Sequence, residues 1–481
     1  MVASSTGASM PVSSNSAVPA DGIQGLKDNW KGDLVAGLLV SLIALPLCLG
    51  IAMASGFPAF GGVITAIIGG LLVGPLSGTP LTIKGPAAGL IAIVIASVEA
   101  LGAGNNLDGY RFTLAAIVVA SAIQVFFALC KLGRFADFFP TSVVHGMLAS
   151  IGIIIMSKQI HPLLGVKPIA REPLPLLLEV PHSLVVMNPE IALVGITSVL
   201  IVLFAVNIFG RAAKFFPGPL VAVCAGIAFC LYFDFSHAHK YEWLSVDYTV
   251  DERYLVSLPE SFFAGITFPD FSKVFSLISI EFIMLFAVIG SLESLLTCKA
   301  VNALDPWKRK SRLDQDLMAV GSGNLLCGLI GGLPMIAEVV RSSANIHYGA
   351  KTRWGNFFHG TFLLFFVAGA LGVPLGSMLS KFPSGETRAD GRFHVALPIA
   401  CTFGNVLSFK RAFQKAQGQP ISLDFSKTEY VDHTFMHEVR SLEREHDIVV
   451  TGLDRLTPIT SHPQAMRRMI SARAGRAAVA I

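Results

Sequence analysis

PLTIKGPAAGL, Pro80–Leu90, and GGLPMIAEVVRSSAN, Gly331–Asn345, decide how this chain is read. Each lies where hydrophobic surroundings call for a membrane helix, and each is interrupted by Gly and Pro before a short helix opens. Interruptions at matching places in two halves of a membrane protein point to a binding site at mid-bilayer. A helix N-terminus carries roughly +0.5 charge and N–H groups without intrahelical partners. Two such ends facing each other can bind an anion without any side chain.

The composition around them is that of a polytopic membrane protein. Hydrophobic residues make up 53% and charged residues 14% of the chain, against roughly 25% charged in a soluble domain, and the mean hydropathy is +0.64. With roughly 17 to 25 apolar residues as the measure of a span, candidates lie at Leu34–Met53, Ala59–Val73, Phe112–Cys130, Val143–Met156, Ile191–Phe209, Leu220–Phe233, Leu277–Leu296, Leu317–Ile330 and Asn356–Val373. The two broken segments bring the total to about eleven crossings. A cytoplasmic N-terminus puts the loops holding Lys131 and Arg134, Arg211 and Lys214, Lys299–Arg312, and Lys351 and Arg353 inside, as the positive-inside rule requires. The mainly acidic stretch Asp234–Lys273 then falls outside.

The domain plan follows. Residues 1–30 read as a disordered tail, 31–376 as a transmembrane domain, 377–392 as a linker and 470–481 as a second tail. Between the last two, residues 393–469 alternate as a soluble α/β domain does, with strands in Phe393–Ala400, Ile421–Phe425 and Asp447–Leu453 and helices in Val406–Lys415 and Thr434–Glu445. The seven cysteines have no metal-ligand spacing, so neither a disulfide nor a zinc site is expected. No nucleophile, metal or phosphate-loop constellation points to an enzyme or a cofactor, and nothing points to nucleic acid.

Ionisable residues inside spans cost roughly 2.5 to 3.5 kcal/mol or more each and are functional by default. Four lie on or beside the broken segments: Lys84, Glu293, Glu338 and Arg341. Thr297 follows Glu293 by four residues and shares its helix face. Glu338 and Arg341 are spaced i, i+3; one reading makes them a neutral internal pair, with Glu338 capping its own helix. In the other, two carboxylates compete with an incoming anion, so binding needs one of them protonated or paired with a cation. That predicts coupling to protons or sodium. His145 and His359 read as packing residues, and the basic run Lys308–Arg312 as an orientation signal.

These residues resemble the SulP family of sulfate-permease-like anion transporters. The likeness runs from Asp33–Val63 (DLVAGLLVSLIALPLCLGIAMASGFPAFGGV) through GPAAG to Glu293–Pro334 and Arg341–Gly360 (RSSANIHYGAKTRWGNFFHG). It implies an all-α, inverted-repeat membrane fold of fourteen segments, with a core from segments one to four and eight to eleven and a gate from the others. It further implies an elevator-type secondary transporter of a small inorganic anion, bicarbonate or sulfate, acting as a homodimer in the cell membrane. By motif match Pro86, Ala87 and Ala88 open the third, half-length helix, and Ile336, Ala337 and Glu338 open the tenth; with Lys84 and Arg341 these are the anion-binding candidates. Glu293 and Thr297 match cation-coupling positions, sodium included, and Glu338 joins them as a coupling candidate through its carboxylate rather than by motif. The soluble tail resembles the family's STAS domain, with Thr434 at its phosphorylatable position.

Three departures stand out. Leu47 follows Pro46 where many members have Gln, and Glu338 stands where a small residue is usual. Segments twelve to fourteen are missing before the STAS-like tail, unless Gly372, Pro374 and Gly376 turn the last apolar stretch back. Two other readings remain: a nucleobase and cation symporter of the same fold, and a non-transporting, truncated scaffold.

Overall fold

Backbone polar groups have no water to bond at membrane depth, so helices dominate wherever this chain is apolar. The computed structural model describes residues 18–370, except 171, 210–217, 236, 244–245 and 251–264 (of which 254 and 259 are described). Beyond these it describes 385–387, 391–398, 400–401, 406, 409–411, 419–431, 433–445, 447–458 and 467–468. The chain divides into two units, Met1–Leu364 and Phe365–Ile481.

The first unit shows its internal repeat in element order. Helices α1 (Gly22–Ala54) and α2 (Ala59–Ile68, carried on through a widened turn to a last short helix α3, Gly74–Leu76) precede strand β1 (Ile83–Pro86), the half-length helix α4 (Ile91–Gly102) and α5 (Asn106–Leu129). After α6 (Thr141–Leu163), α7 (Pro173–Val185), α8 (Pro189–Phe209) and α9 (Gly218–Tyr232), the order returns: α10 (Leu277–Leu304), α11 (Leu313–Ile330), strand β4 (Met335–Glu338), the half-length α12 (Val339–His347) and the greater part of α13 (Trp354–Ala370). Helix α5 packs on α4, α10 and α11, and α1 on α2 and α12, whereas α6 packs on α7 and α8, and α8 on α9. Among the described residues, Gly22–Ala54, Ala59–Leu76, Asn106–Leu129 and Leu277–Leu304 are long and apolar enough to span a bilayer by length and composition.

Two short strands were not expected. β1 and β4 pair antiparallel, with Ile83 opposite Glu338 and Pro86 opposite Met335, so the half-length helices leave the ribbon from opposite ends. Four residues at ~3.3 Å rise put their starts about 10 Å apart. An open ribbon inside a membrane needs its edges satisfied, and polar side chains from the surrounding helices do this. Ile83 N donates to Ser342 Oγ (2.9 Å), Ala337 N to Ser294 Oγ (3.2 Å) and Leu333 N to Thr65 Oγ1 (2.7 Å). Asn324 accepts from Met335 N (2.5 Å) and donates to Met335 O (3.1 Å). Ala87, Leu90, Tyr110, Phe286, Leu333 and Ile336 bury apolar area around it.

The tail expected over residues 1–30 is corrected from Gly22 onward, where α1 already runs. Asp21 accepts from Gly22 N (2.8 Å) and from Arg353 Nε (2.8 Å), Trp354 Nε1 donates to Gly22 O (2.8 Å), and the buried Asp33 accepts from Lys351 N (2.8 Å). These bonds tie the polar start of α1 to the start of α13. Helix α7 and the hairpin of β2 (His239–Trp243) with β3 (Val246–Val250) are also additions to the sequence reading.

The second unit carries β6 (Phe393–Ala396), β8 (Ile421–Asp424) and β10 (Ile448–Thr451) as a parallel sheet, with β5 (Glu386–Thr387) antiparallel at the β6 edge. A smaller sheet has the order β11-β12-β9-β7 (Thr457–Pro458, Arg467–Arg468, Tyr430–Val431, Ala400–Cys401). Helix α14 (His433–Glu445) buries Phe435, Met436 and Val439 with Phe409, Leu423 and Phe425. The expected strands and the Thr434–Glu445 helix are found here. Most of the Val406–Lys415 helix, the turn at Gly372–Gly376, residues 1–17 and the tail 470–481 lie outside the described residues.

Candidate functional site

Glu293 reaches from the middle of α10 to the opening of the first half-helix, where its Oε1 accepts from Gly89 N at 3.1 Å. A Cβ at position 89 would lie 2.1 Å from that oxygen, so glycine is what lets the carboxylate approach the backbone. Thr297 lies one turn further along α10 and is buried with Glu293.

The second carboxylate stands at the opening of the second half-helix. Glu338 ends β4 in extended conformation at the N-cap of α12, yet its side chain makes no capping bond, and Oε1 is buried without a partner. The cap considered from sequence is therefore not formed, although the Arg341 guanidinium still acts electrostatically on Glu338. Glu338 and Glu293 are within electrostatic reach of each other. Arg341, one turn into α12, is wholly buried, and none of its Nε, Nη1 and Nη2 has a hydrogen-bond partner among the described residues. The strand gives way to it: a Cβ at Gly85 would lie 2.3 Å from Nη1.

Lys84 is a correction. Its ammonium is not brought to this group but lies 2.7 Å from Asp316 of α11, both side chains fully buried. Ser77 Oγ (2.5 Å) and Cys298 Sγ (3.1 Å) also donate to Asp316. Neighbouring residues of a strand face opposite ways, so Gly85 turns toward Arg341 and Lys84 away from it. Asp316 was missed because it directly follows the basic loop and reads there as an exposed first-turn acid.

The sequence pattern that defines the Sulfate permease family matches residues 30–375, the whole of the site included. The chain belongs to the sulfate permease family. Among its relatives, putative sulfate transporter YvdB of Bacillus subtilis is 26% identical over 73% of this chain and 62% of that protein. Bicarbonate transporter BicA of a Picosynechococcus species is 27% identical over 71% of the chain and 58% of that protein. The chain thus spans about three fifths of the length of these relatives. The solved transmembrane domain of a cyanobacterial BicA superposes with a TM-score of 0.59 at 25% identity, covering 72% of this chain and 84% of that one. The structure of SLC26A9 gives 0.56 at 12% identity, covering 88% and 84%, and shares the fold.

Within the sulfate permease frame, the residues matched by motif fall at the ribbon rather than inside the half-helices. Pro86 ends β1, Ala87 precedes the tight turn Ala88–Leu90 that leads into α4, and Ile336 and Ala337 lie in β4. Two of their N–H groups are already used, Ala87 N by Pro334 O (2.8 Å) and Ala337 N by Ser294 Oγ. The half-length helices begin just beyond them, at the turn from Ala88 and at Val339. His359, read from sequence as a packing residue, is fully buried, and neither ring nitrogen has a partner among the described residues. The His145 side chain and that of Thr434 lie outside the described residues.

Proposed function

We propose that this chain is a secondary active transporter of a small inorganic anion, coupled to sodium or protons. The observation that carries the reading is one unpaired guanidinium and two carboxylates, all buried, gathered at the openings of two half-length helices. Lys84 and Asp316 cancel each other. Arg341 offsets one of Glu293 and Glu338, so an entering anion meets a surplus negative charge that a proton or a sodium ion must remove. Glu293 and Thr297 offer hard oxygen ligands that suit sodium, while Glu338 suits a proton. Lys84 is left out of the anion site.

The family resemblance supports elevator-type movement of the core helices, a homodimer in the cell membrane with a cytoplasmic N-terminus, and a STAS-like role for the second unit. The test is uptake of labelled bicarbonate and labelled sulfate into proteoliposomes with sodium and proton gradients imposed separately. Uptake of at least one anion, accelerated by one gradient, is the expected result. Uptake indifferent to both gradients refutes the coupling, and competition by uracil or xanthine would favour a nucleobase substrate.

A further inference from the structure

Six buried polar side-chain atoms of the first unit have no hydrogen-bond partner among the described residues: Nε, Nη1 and Nη2 of Arg341, both ring nitrogens of His359, and Oε1 of Glu338. Their elements converge on β1. Helix α12 lays the guanidinium over Gly85. Helix α13 runs alongside the same strand, since Asn356 Oδ1 accepts from Lys84 N (3.4 Å), and His359 lies about one helical turn beyond Asn356. The guanidinium acts electrostatically on His359 and on Glu338, and the Cys48 thiol of α1 lies close enough to it for a weak contact, a sulfur being a poor acceptor for a guanidinium. A buried polar group left unpaired is costly, so these atoms call for partners from a ligand, an ion or water.

The chemistry of the free atoms describes such a ligand. A guanidinium presents only donors, in a planar fork that suits anionic oxygens. A neutral imidazole presents one donor and one acceptor, and its acceptor nitrogen calls for an O–H or N–H on the ligand. Sulfate and halides carry no such proton. Lys84 is engaged by Asp316, and once a proton or sodium ion has offset one of Glu293 and Glu338 the other carboxylate balances Arg341, so the site carries no surplus positive charge, which favours a monoanion over a dianion.

We propose that Arg341 and His359 form the discriminating part of the anion site and select a monovalent oxyanion bearing a hydroxyl, as bicarbonate does, over sulfate and chloride. Arg341 holds the charged oxygens, and His359 accepts the hydroxyl proton as a hydrogen bond. This rests on reading the chain as an anion transporter.

The experiment compares the full-length protein with His359→Phe, which removes both ring partners, and His359→Gln, which keeps a donor and an acceptor. Proteoliposome uptake and calorimetric binding in detergent are measured for sodium bicarbonate, sodium sulfate and sodium chloride, with thermal unfolding recorded for each variant. The unaltered protein is expected to prefer bicarbonate by tenfold or more. His359→Phe should lower bicarbonate binding about tenfold, equivalent to about 1.4 kcal/mol, with little change for sulfate, and His359→Gln should recover most of the loss. A bicarbonate-to-sulfate ratio unchanged by His359→Phe, or a preference for sulfate in the unaltered protein, overturns the inference while leaving the transporter reading intact. Transport of none of the three anions overturns both.

Discussion

Replacing Lys84 and Asp316 separately and together separates an internal ion pair from an anion ligand. The two groups lie 2.7 Å apart with no exposed side-chain surface. At an effective dielectric constant of about 20, charges at that distance attract by about 6 kcal/mol, most of it offset by the cost of removing both from water. Breaking the pair from one side leaves an uncompensated buried charge and costs about 3–5 kcal/mol, whereas an apolar replacement of both is close to neutral or stabilising. Ser77 Oγ, which would lose Asp316, retains Thr79 O at 3.3 Å. Asp316→Leu alone is therefore expected to lower the thermal midpoint sharply, as followed by tryptophan fluorescence in detergent. Lys84→Met with Asp316→Leu should restore the midpoint to near that of the unaltered protein and retain anion uptake in proteoliposomes. If Lys84→Met left stability unchanged but weakened anion binding tenfold, and the double replacement were equally weak, the lysine would be a ligand and the structural assignment wrong.

Two further outcomes are expected. Gly89→Ala puts a methyl 2.1 Å from Glu293 Oε1 and must displace that carboxylate from the helix opening; uptake should lose its acceleration by the coupling gradient, with an unfolding midpoint close to the unaltered value. At the start of α1, burial opposes ionisation of Asp21, but the Arg353 hydrogen bond, the Gly22 N–H and the charges of Arg353 and Arg312 outweigh it and hold the carboxyl below its ordinary range. A carboxyl lowered in the folded state contributes stability that is full above its unfolded value and is lost as pH falls through the lowered one. The unfolding midpoint should therefore drop below about pH 4, and Asp21→Asn should flatten that part of the profile; an identical acid slope in the variant would remove Asp21 from the account.

Length and polarity made the helices legible in the sequence, and the Gly-Pro breaks marked where two of them are cut short. The ribbon between the breaks was not legible, because IKGP and MIAE are too short to show a strand period and have no neighbours in sequence. Its signal lay elsewhere, in the polar residues that apolar helices carry without evident reason. Thr65, Ser294, Asn324 and Ser342 each satisfy a backbone group of the ribbon or its flank. Each partner is distant in sequence or belongs to another segment, so no local pattern discloses the pairing. The same limit explains Lys84 and His359. The lysine was placed in the anion site because it is an ionisable residue on a broken segment, but it is paired with an aspartate 232 residues away. The histidine was assigned to packing because a lone imidazole in a bundle usually finds a bond. Here both ring nitrogens are left open beside an equally unsatisfied Arg341, and it is that shared deficit, a property of three-dimensional neighbours, that moves His359 from the scaffold to the site.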